Sequence, residues 1–100
     1  MKLQLEPRWI QVVKTILKKY VPHKDVLVFG SRVTNTFKPH SDLDLCVISQ
    51  HPMPLEQLAL LREAFSESDL PMRVDIVDWA TTTPDFRRII SENAYPLDLS

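Results

Sequence analysis

The chain of 100 residues contains one glycine, Gly30. Average usage near 7% would supply about seven, so the backbone has almost no glycine for ordinary turns, and eight prolines interrupt it instead. Gly30 directly follows the apolar run 26–29, which is typical of a short buried strand. We therefore predict that Gly30 occupies a position where a side chain cannot be tolerated.

Size and composition favour one soluble globular domain over residues 1–100. The hydrophobic fraction of 44% and the charged fraction of 25% argue against disorder. No apolar run approaches the roughly 20 residues that span a bilayer. Charged residues interrupt the first twenty positions, whereas a signal peptide has an uninterrupted apolar segment there. The single cysteine, Cys46, excludes a disulfide framework and a cysteine-rich zinc site. We expect a cytoplasmic protein with no membrane partner.

Charge is distributed unevenly along the chain. Residues 1–40 hold eight Lys and Arg against two acids, a balance of +6, whereas residues 41–100 hold four against eleven, a balance of −7. Nucleic-acid-binding domains usually have a net basic character, which a net charge of −1 does not provide. No direct binding of nucleic acid is expected.

Hydrophobic periodicity predicts the element order α-β-(loop)-β-α-β-α. The predicted elements are helices over 7–21 and 54–67, strands over 26–29, 42–48 and 72–77, a helical turn opening at Ser31-Arg32, and a last helix capped by Thr83 with Pro84 at its first position. Phe86, Ile89 and Ile90 are predicted to form the buried face of that last helix. The expected fold is α/β (α+β), with a small mixed sheet of about three strands flanked by about four helices.

Two aspartates, Asp42 and Asp44, alternate with leucines at the start of the second predicted strand. Alternation places both carboxylates on one face, where they repel each other unless protonated or bridged by cations. Mg²⁺ would relieve this repulsion while keeping waters for a phosphate-bearing substrate. If the next strand is a neighbour, Asp75 completes a set able to hold two ions about 3.5–4 Å apart, as in nucleotidyl transfer. Alternatively, Asp42 only begins the strand and Asp44 faces solvent.

The loop before this pair has the residue types of a phosphate site. Gly30 lets the backbone approach a phosphate, the Ser31 hydroxyl can donate to a phosphate oxygen, and the Arg32 guanidinium can bind one through two nitrogens. The alternative is an ordinary strand-to-turn glycine followed by a surface arginine. A phosphate cradle beside a metal cluster would form the two halves of a nucleoside-triphosphate site.

Three motifs together resemble the DNA polymerase β-type nucleotidyltransferases. They are Gly30-Ser31-Arg32, Ser41-Asp42-Leu43-Asp44-Leu45 and Val74-Asp75-Ile76-Val77-Asp78. Within that superfamily the chain resembles the minimal nucleotidyltransferases, which are antitoxins of two-gene modules whose toxin is a HEPN ribonuclease. The resemblance extends over nearly the whole chain and implies a nucleotidyltransferase fold similar to the polymerase β palm.

The resemblance also implies a role for each motif residue. Asp42, Asp44 and Asp75 would be the catalytic and metal-binding residues, with two Mg²⁺ ions expected. Gly30 and Ser31 would hold the triphosphate of ATP, with Arg32 assisting. The implied reaction transfers AMP to a hydroxyl, with a tyrosine of the toxin as the acceptor, and releases pyrophosphate. A hetero-oligomer with the toxin is therefore expected.

One departure from many relatives lies after the cradle, where residues 33–36 replace a segment containing glycine. Asn35 is the residue there that best tolerates a left-handed backbone, so we expect the loop to keep its form. Lys38 and His40 precede the carboxylates and either approach a phosphate or lie on the surface. Cys46 is predicted to be a small buried side chain.

Two other function classes compete with the protein adenylyltransferase. The chain could neutralise a toxin by binding alone, with a catalytically weak site, or it could transfer a nucleotide to a small molecule. Larger relatives add domains that grip a nucleic acid or an antibiotic, and 100 residues leave no room for one. A protein acceptor, which would complete the pocket, is therefore favoured.

Overall fold

The computed structural model describes residues 3–34, 36 and 41–99. The helices are α1 (Pro7–Tyr20), α2 (Ser31–Thr34), α3 (Leu55–Ser66) and α4 (Pro84–Glu92), and the strands are β1 (Asp25–Phe29), β2 (Leu43–Ile48), β3 (Val74–Asp78) and β4 (Tyr95–Leu97). A 3-10 helical turn, Trp79–Thr81, follows β3. The elements predicted from the sequence are all present, and the predicted bounds differ from the observed ones by at most two residues.

The strands form one mixed sheet in the order β3-β2-β1-β4. β1 is antiparallel to both β2 and β4, whereas β2 and β3 are parallel. The mixed α/β architecture is confirmed, but the sheet has four strands instead of about three. The additional strand, β4, has three residues with Pro96 at its centre, so it lacks the length and the alternation by which a strand is detected in a sequence.

The main core lies between one face of the sheet and the helices α1 and α3. Leu43, Leu45 and Val47 point to that face from β2, and all three are fully buried. Leu17 from α1 and Leu61 from α3 are buried in the same cluster. The helices predicted over 7–21 and 54–67 are therefore the ones that cover this face of the sheet.

The opposite face of the sheet carries a smaller cluster, in which Phe29 and Cys46 pack with Ile90 of α4. Thr83 caps α4 as predicted, since its hydroxyl accepts a bond of 3.2 Å from the Phe86 amide. The predicted buried face was partly wrong, because Ile89 is 61% exposed and Phe86 is 39% exposed. α4 buries little beyond Ile90, so most of its surface remains in solvent.

Within the described residues, none of the helices has both the length and the apolar character that crossing a bilayer requires.

Candidate active site

Asp44 lies on the face of the sheet opposite the main core. Its neighbours Leu43 and Leu45 are fully buried against α1 and α3, and alternation along β2 therefore directs Asp44 to the other face. Asp42 immediately precedes β2 and is half-buried. The start of β2 is therefore polar and the residues that follow it are buried, as the sequence predicted.

Asp75 stands opposite Asp44 in the parallel pairing of β2 with β3. Residues directly paired in a sheet point to the same face, and neighbouring strands lie about 4.8 Å apart. The two strands are neighbours, which is the condition the sequence analysis set for Asp75. The amide of Leu43 donates to the carbonyl oxygen of Arg73 over 2.9 Å, so the pairing extends to the mouth of the site.

Gly30 ends β1 directly beside Asp44. Its φ of +83° lies in the region that side chains disfavour. A Cβ built at this position would collide with Oδ2 of Asp44 and would stand 3.3 Å from its Cγ. The prediction that the single glycine occupies a position intolerant of a side chain is confirmed.

The residues after Gly30 turn at once into the short helix α2. The carbonyl oxygen of Gly30 accepts bonds from the amides of Val33 and Thr34, at 3.0 and 3.2 Å, and from the Thr34 hydroxyl at 3.3 Å. Ser31, the first residue of α2, is half-buried. Three neighbouring positions that the sequence analysis singled out, Asn35, Lys38 and His40, lie outside the described residues.

Arg32 is 5% exposed, and its guanidinium lies inside the protein. Nε and Nη2 donate to the carbonyl oxygen of Ser41 over 3.2 and 3.0 Å, and Nη1 donates to the carbonyl oxygen of Gln4 over 3.0 Å. Burial lowers the pKa of this guanidinium below its usual value. The contacts described for Arg32 are thus with main-chain oxygens on both sides of α2, and its expected contact with phosphate stays a prediction.

Burial and two nearby carboxylates place Asp44 in an unfavourable electrostatic position. Burial, then the negative charges of Asp75 and Asp42, raise the pKa of Asp44 to about 6, while Arg73 opposes the shift. Nε of Arg73 stands 3.9 Å from Oδ2 of Asp42, with the Arg73 side chain largely in solvent and the Asp42 side chain about half exposed. An exposed pair of this kind contributes at most about 1 kcal/mol, too little to neutralise the cluster.

The chemistry of this cluster suits a divalent cation. Mg²⁺ prefers carboxylate oxygens as ligands, and a cation beside Asp44 would remove the repulsion that raises its pKa. Among the residues that the structure describes, no three His, Cys, Asp or Glu side chains are already arranged to hold a metal ion. The case for a cation therefore depends on the register and on the charges of Asp42, Asp44 and Asp75.

The sequence analysis missed one charged residue near the site, Arg73, and one residue of its third motif, Asp78, lies away from the carboxylates. Arg73 lies two positions before Asp75, so alternation could have placed it on the same face as that carboxylate. Asp78, which belongs to the third motif, points to the opposite face and is buried. It accepts bonds from the amides of Met53 and Ala80, at 2.8 and 3.2 Å, and so has a structural role.

Two histidines lie at the other end of the sheet. His23 and His51 line a cavity of about 440 Å³ beside Asp25, which begins β1 and pairs with the last residue of β2. Asp44 pairs with the last residue of β1, Phe29. These histidines are therefore remote from the carboxylates.

Comparison with known proteins identifies the family of the chain. A model of the nucleotidyltransferase domain family matches residues 10–97. A Haemophilus influenzae (strain ATCC 51907 / DSM 11121 / KW20 / Rd) protein named "Probable protein adenylyltransferase MntA" is 52% identical over 89 residues, which cover 89% of this chain and 78% of that protein. The matched region contains every residue of the three motifs.

Similar folds occur among solved toxin-antitoxin structures. A chain of a toxin-antitoxin crystal structure with AMP-PNP superposes with a TM-score of 0.74 at 19% identity, covering 87% of this chain and 70% of that one. A chain from a mutant of the toxin-antitoxin MntA-HpeT superposes with a TM-score of 0.72 at 23% identity, covering 95% and 73%. With the match of the family model to residues 10–97, the chain belongs to the nucleotidyltransferase domain family and is a nucleotidyltransferase.

Proposed function

We propose that this enzyme is an antitoxin that transfers AMP from ATP to a HEPN ribonuclease toxin and so inactivates it. The acceptor is the hydroxyl of a tyrosine of the toxin. The observation that carries the proposal is the position of Asp44, which is paired with Asp75 and has its pKa raised to about 6 by burial and by the charges of Asp75 and Asp42. The 52% identity to a relative named as a protein adenylyltransferase supports the same reaction.

In this proposal Asp42, Asp44 and Asp75 hold two Mg²⁺ ions. Bound ions of this kind neutralise the charge of the phosphates and orient them for in-line displacement. Without them, the carboxylates would repel the triphosphate of ATP, because both carry negative charge. Burial and the neighbouring charges raise the pKa of Asp44 to about 6, so a cation would stabilise the ionised form of this carboxyl.

The chain's own residues would position the two reactants. Gly30 has no side chain, so the Asp44 carboxylate can lie directly against its backbone, and Ser31 offers a hydroxyl at the start of α2. The acceptor oxygen forms a bond to the α-phosphorus as the bond to the β-phosphate oxygen breaks, and pyrophosphate leaves. The proton of the acceptor hydroxyl passes to a carboxylate of the cluster. Asp75 is exposed and so faces an incoming acceptor.

A protein acceptor fits the charge of the chain. Residues 41–100 hold eleven acids against four Lys and Arg, and electrostatic matching with a basic partner raises both association rate and specificity. The partner toxin would form a hetero-oligomer with the chain and complete the wall of the nucleotide site. Such a pair would act in the cytoplasm.

Mass spectrometry of the co-expressed partner tests the reaction directly. Partner co-expressed with the wild-type chain is expected to gain mass in whole adenylate increments, whereas the double variant Asp42→Asn/Asp44→Asn leaves it unmodified. Asp85→Asn is the matched control, because Asp85 lies on the exposed surface of α4 in a pair with Arg88.

Protection of cells separates this function from its competitors. If the double variant binds the partner and no longer protects cells, neutralisation requires transfer. If it protects fully, occlusion by binding is sufficient and the proposal fails. Labelling of a small molecule by ATP, with no labelling of the partner, would move the chain to the third class.

A further inference from the structure

We propose that Arg32 is a positioning residue, which sets the place of Asp42 relative to Gly30 and Ser31 by fastening three stretches of chain together. The stretches are the N-terminal segment at Gln4, the helix α2, and Ser41 immediately before Asp42. The catalytic consequence rests on the proposed function, whereas the fastening itself does not.

The described contacts of Arg32 link α2 to two other segments of the chain, and we call this set of bonds the clamp. Nε and Nη2 bind the same acceptor, the carbonyl oxygen of Ser41, and Nη1 binds the carbonyl oxygen of Gln4. The main chain of Arg32 adds a further link, because its carbonyl oxygen accepts the amide of Gln4 over 2.7 Å. One residue thereby connects segments that lie 28 and 9 positions away along the chain.

Burial makes this clamp resistant to displacement. Arginine stays protonated in proteins, so a guanidinium that is 5% exposed carries a charge that must be satisfied by fixed oxygen atoms. Moving Ser41 would remove two bonds from a buried cation, which is strongly unfavourable. Since Ser41 precedes Asp42 directly, the same bonds hold the start of the carboxylate pair.

The phosphate cradle and the carboxylates meet at this residue. Arg32 follows Ser31 in sequence, and its guanidinium binds the carbonyl oxygen of Ser41, the residue before Asp42. The side chain of Arg32 thus links the two halves of the site. A misplacement of about 1 Å between reacting groups can reduce a rate by about 100-fold, so loosening the clamp should lower the rate of transfer more than the binding of nucleotide.

The test compares Arg32→Lys and Arg32→Gln with the control Arg88→Lys, whose guanidinium lies on the surface of α4. Lysine keeps the charge but cannot bind two separate carbonyl groups in the same fork. Arg32→Lys is expected to reduce kcat for adenylylation of the co-expressed partner by about 10- to 100-fold, with KM for ATP changed by less than about threefold. The control is expected to match the wild type.

Hydrogen exchange of the free chain measures the fastening without catalysis. Arg32→Lys is expected to accelerate exchange by at least about tenfold at the amides of residues 4 and 41–43, while the amides of α3 exchange at the wild-type rate. If Arg32→Gln does not fold, Arg32→Lys alone decides the comparison.

A direct contact between Arg32 and phosphate would give the opposite pattern. Affinity for a non-hydrolysable ATP analogue and KM for ATP would change strongly, while exchange at residues 41–43 would stay as in the wild type, and this result would overturn the proposal. If the wild-type chain transfers no AMP to its partner, the proposed function fails, and the exchange rates still decide whether the clamp exists.

Discussion

Gly30 and Asp44 share one small volume where β1 ends and β2 begins. Gly30→Ala would place a methyl group against Oδ2 of Asp44 and would hold an alanine at a φ of +83°. The left-handed backbone alone costs about 1–2 kcal/mol for a residue with a side chain, and the displaced carboxylate adds to it. We expect Gly30→Ala to lower the free energy of unfolding by about 2 kcal/mol or more and to abolish transfer of AMP.

A double-mutant cycle separates these two causes. In an Asp44→Ala background the colliding oxygen is absent, so Gly30→Ala should cost only the backbone strain and the two substitutions should be non-additive. Urea unfolding of the four proteins gives the coupling energy. Strict additivity would contradict the close contact between these residues.

The raised pKa of Asp44 also predicts how the stability of the metal-free protein depends on pH. Its folded-state pKa of about 6 lies above the ordinary value of 3.8 for an aspartate, so the folded state holds this proton more tightly than the unfolded state does. Ionisation therefore lowers stability as the pH rises from about 4 to about 6, and the full penalty is present above that range. The contribution of this group is most favourable at low pH.

Asp44→Asn removes this titration while keeping the size of the side chain. In EDTA, we expect the variant to be more stable than the wild type near pH 7.5 and the difference to shrink towards pH 4.5. Thermal unfolding at the two pH values measures it, with Asp85→Asn as the exposed control. A difference that did not vary with pH would show that Asp44 titrates normally.

Alternation was sufficient to assign the faces of Asp44 and Asp75, because a period of two residues fixes the face of every side chain on a strand. That the two residues meet depends on the pairing of β2 with β3, which alternation does not predict. The same rule applied to Arg73 would have added a cation to the cluster. No local rule leads to the contacts of Arg32, because Gln4 lies 28 positions away and acts through its main chain, which has no signature in the sequence.

Two neighbouring isoleucines of α4 allow the contribution of this helix to the stability of the fold to be measured. Ile90 is fully buried on the sheet, whereas its neighbour Ile89 is 61% exposed. We expect Ile90→Ala to lower the free energy of unfolding by about 2–4 kcal/mol and Ile89→Ala to change it by less than about 0.5 kcal/mol. Urea denaturation measures both, and equal losses would show that α4 packs in another orientation.

The elements differ in how far a sequence can define them. α1 and α3 pack on a continuous core and show clear helical periodicity, so their bounds were predicted to within one residue. In α4, Phe86, Ile89 and Ile90 are all apolar, and periodicity alone could not decide which of them the sheet covers. β4 is recognisable only from its pairing with β1, which joins residues distant in sequence.

At the scale of the whole molecule, the carboxylate cluster couples stability to the binding of the proposed metal ions. A site that gathers Asp42, Asp44 and Asp75 destabilises the metal-free fold, and any cation that binds only the folded state stabilises it by mass action. Functional sites commonly have this cost, since residues arranged for a ligand repel one another in its absence. The unfolding temperature of the entire chain therefore reports on occupancy of the site.

The last prediction concerns the rise in Tm when the protein is titrated with Mn²⁺ or Mg²⁺. A cation at about 100 times its dissociation constant adds about 2.7 kcal/mol to the free energy of unfolding, and each kcal/mol raises Tm by about 4–8 °C in a domain of this size. The wild type should therefore gain at least about 10 °C at saturation. Asp42→Asn/Asp44→Asn should begin from a higher Tm in EDTA, because the repulsion is gone, and should show no further rise with the cation. A parallel rise in both proteins would place the cation elsewhere and remove the basis for two-metal chemistry at these carboxylates.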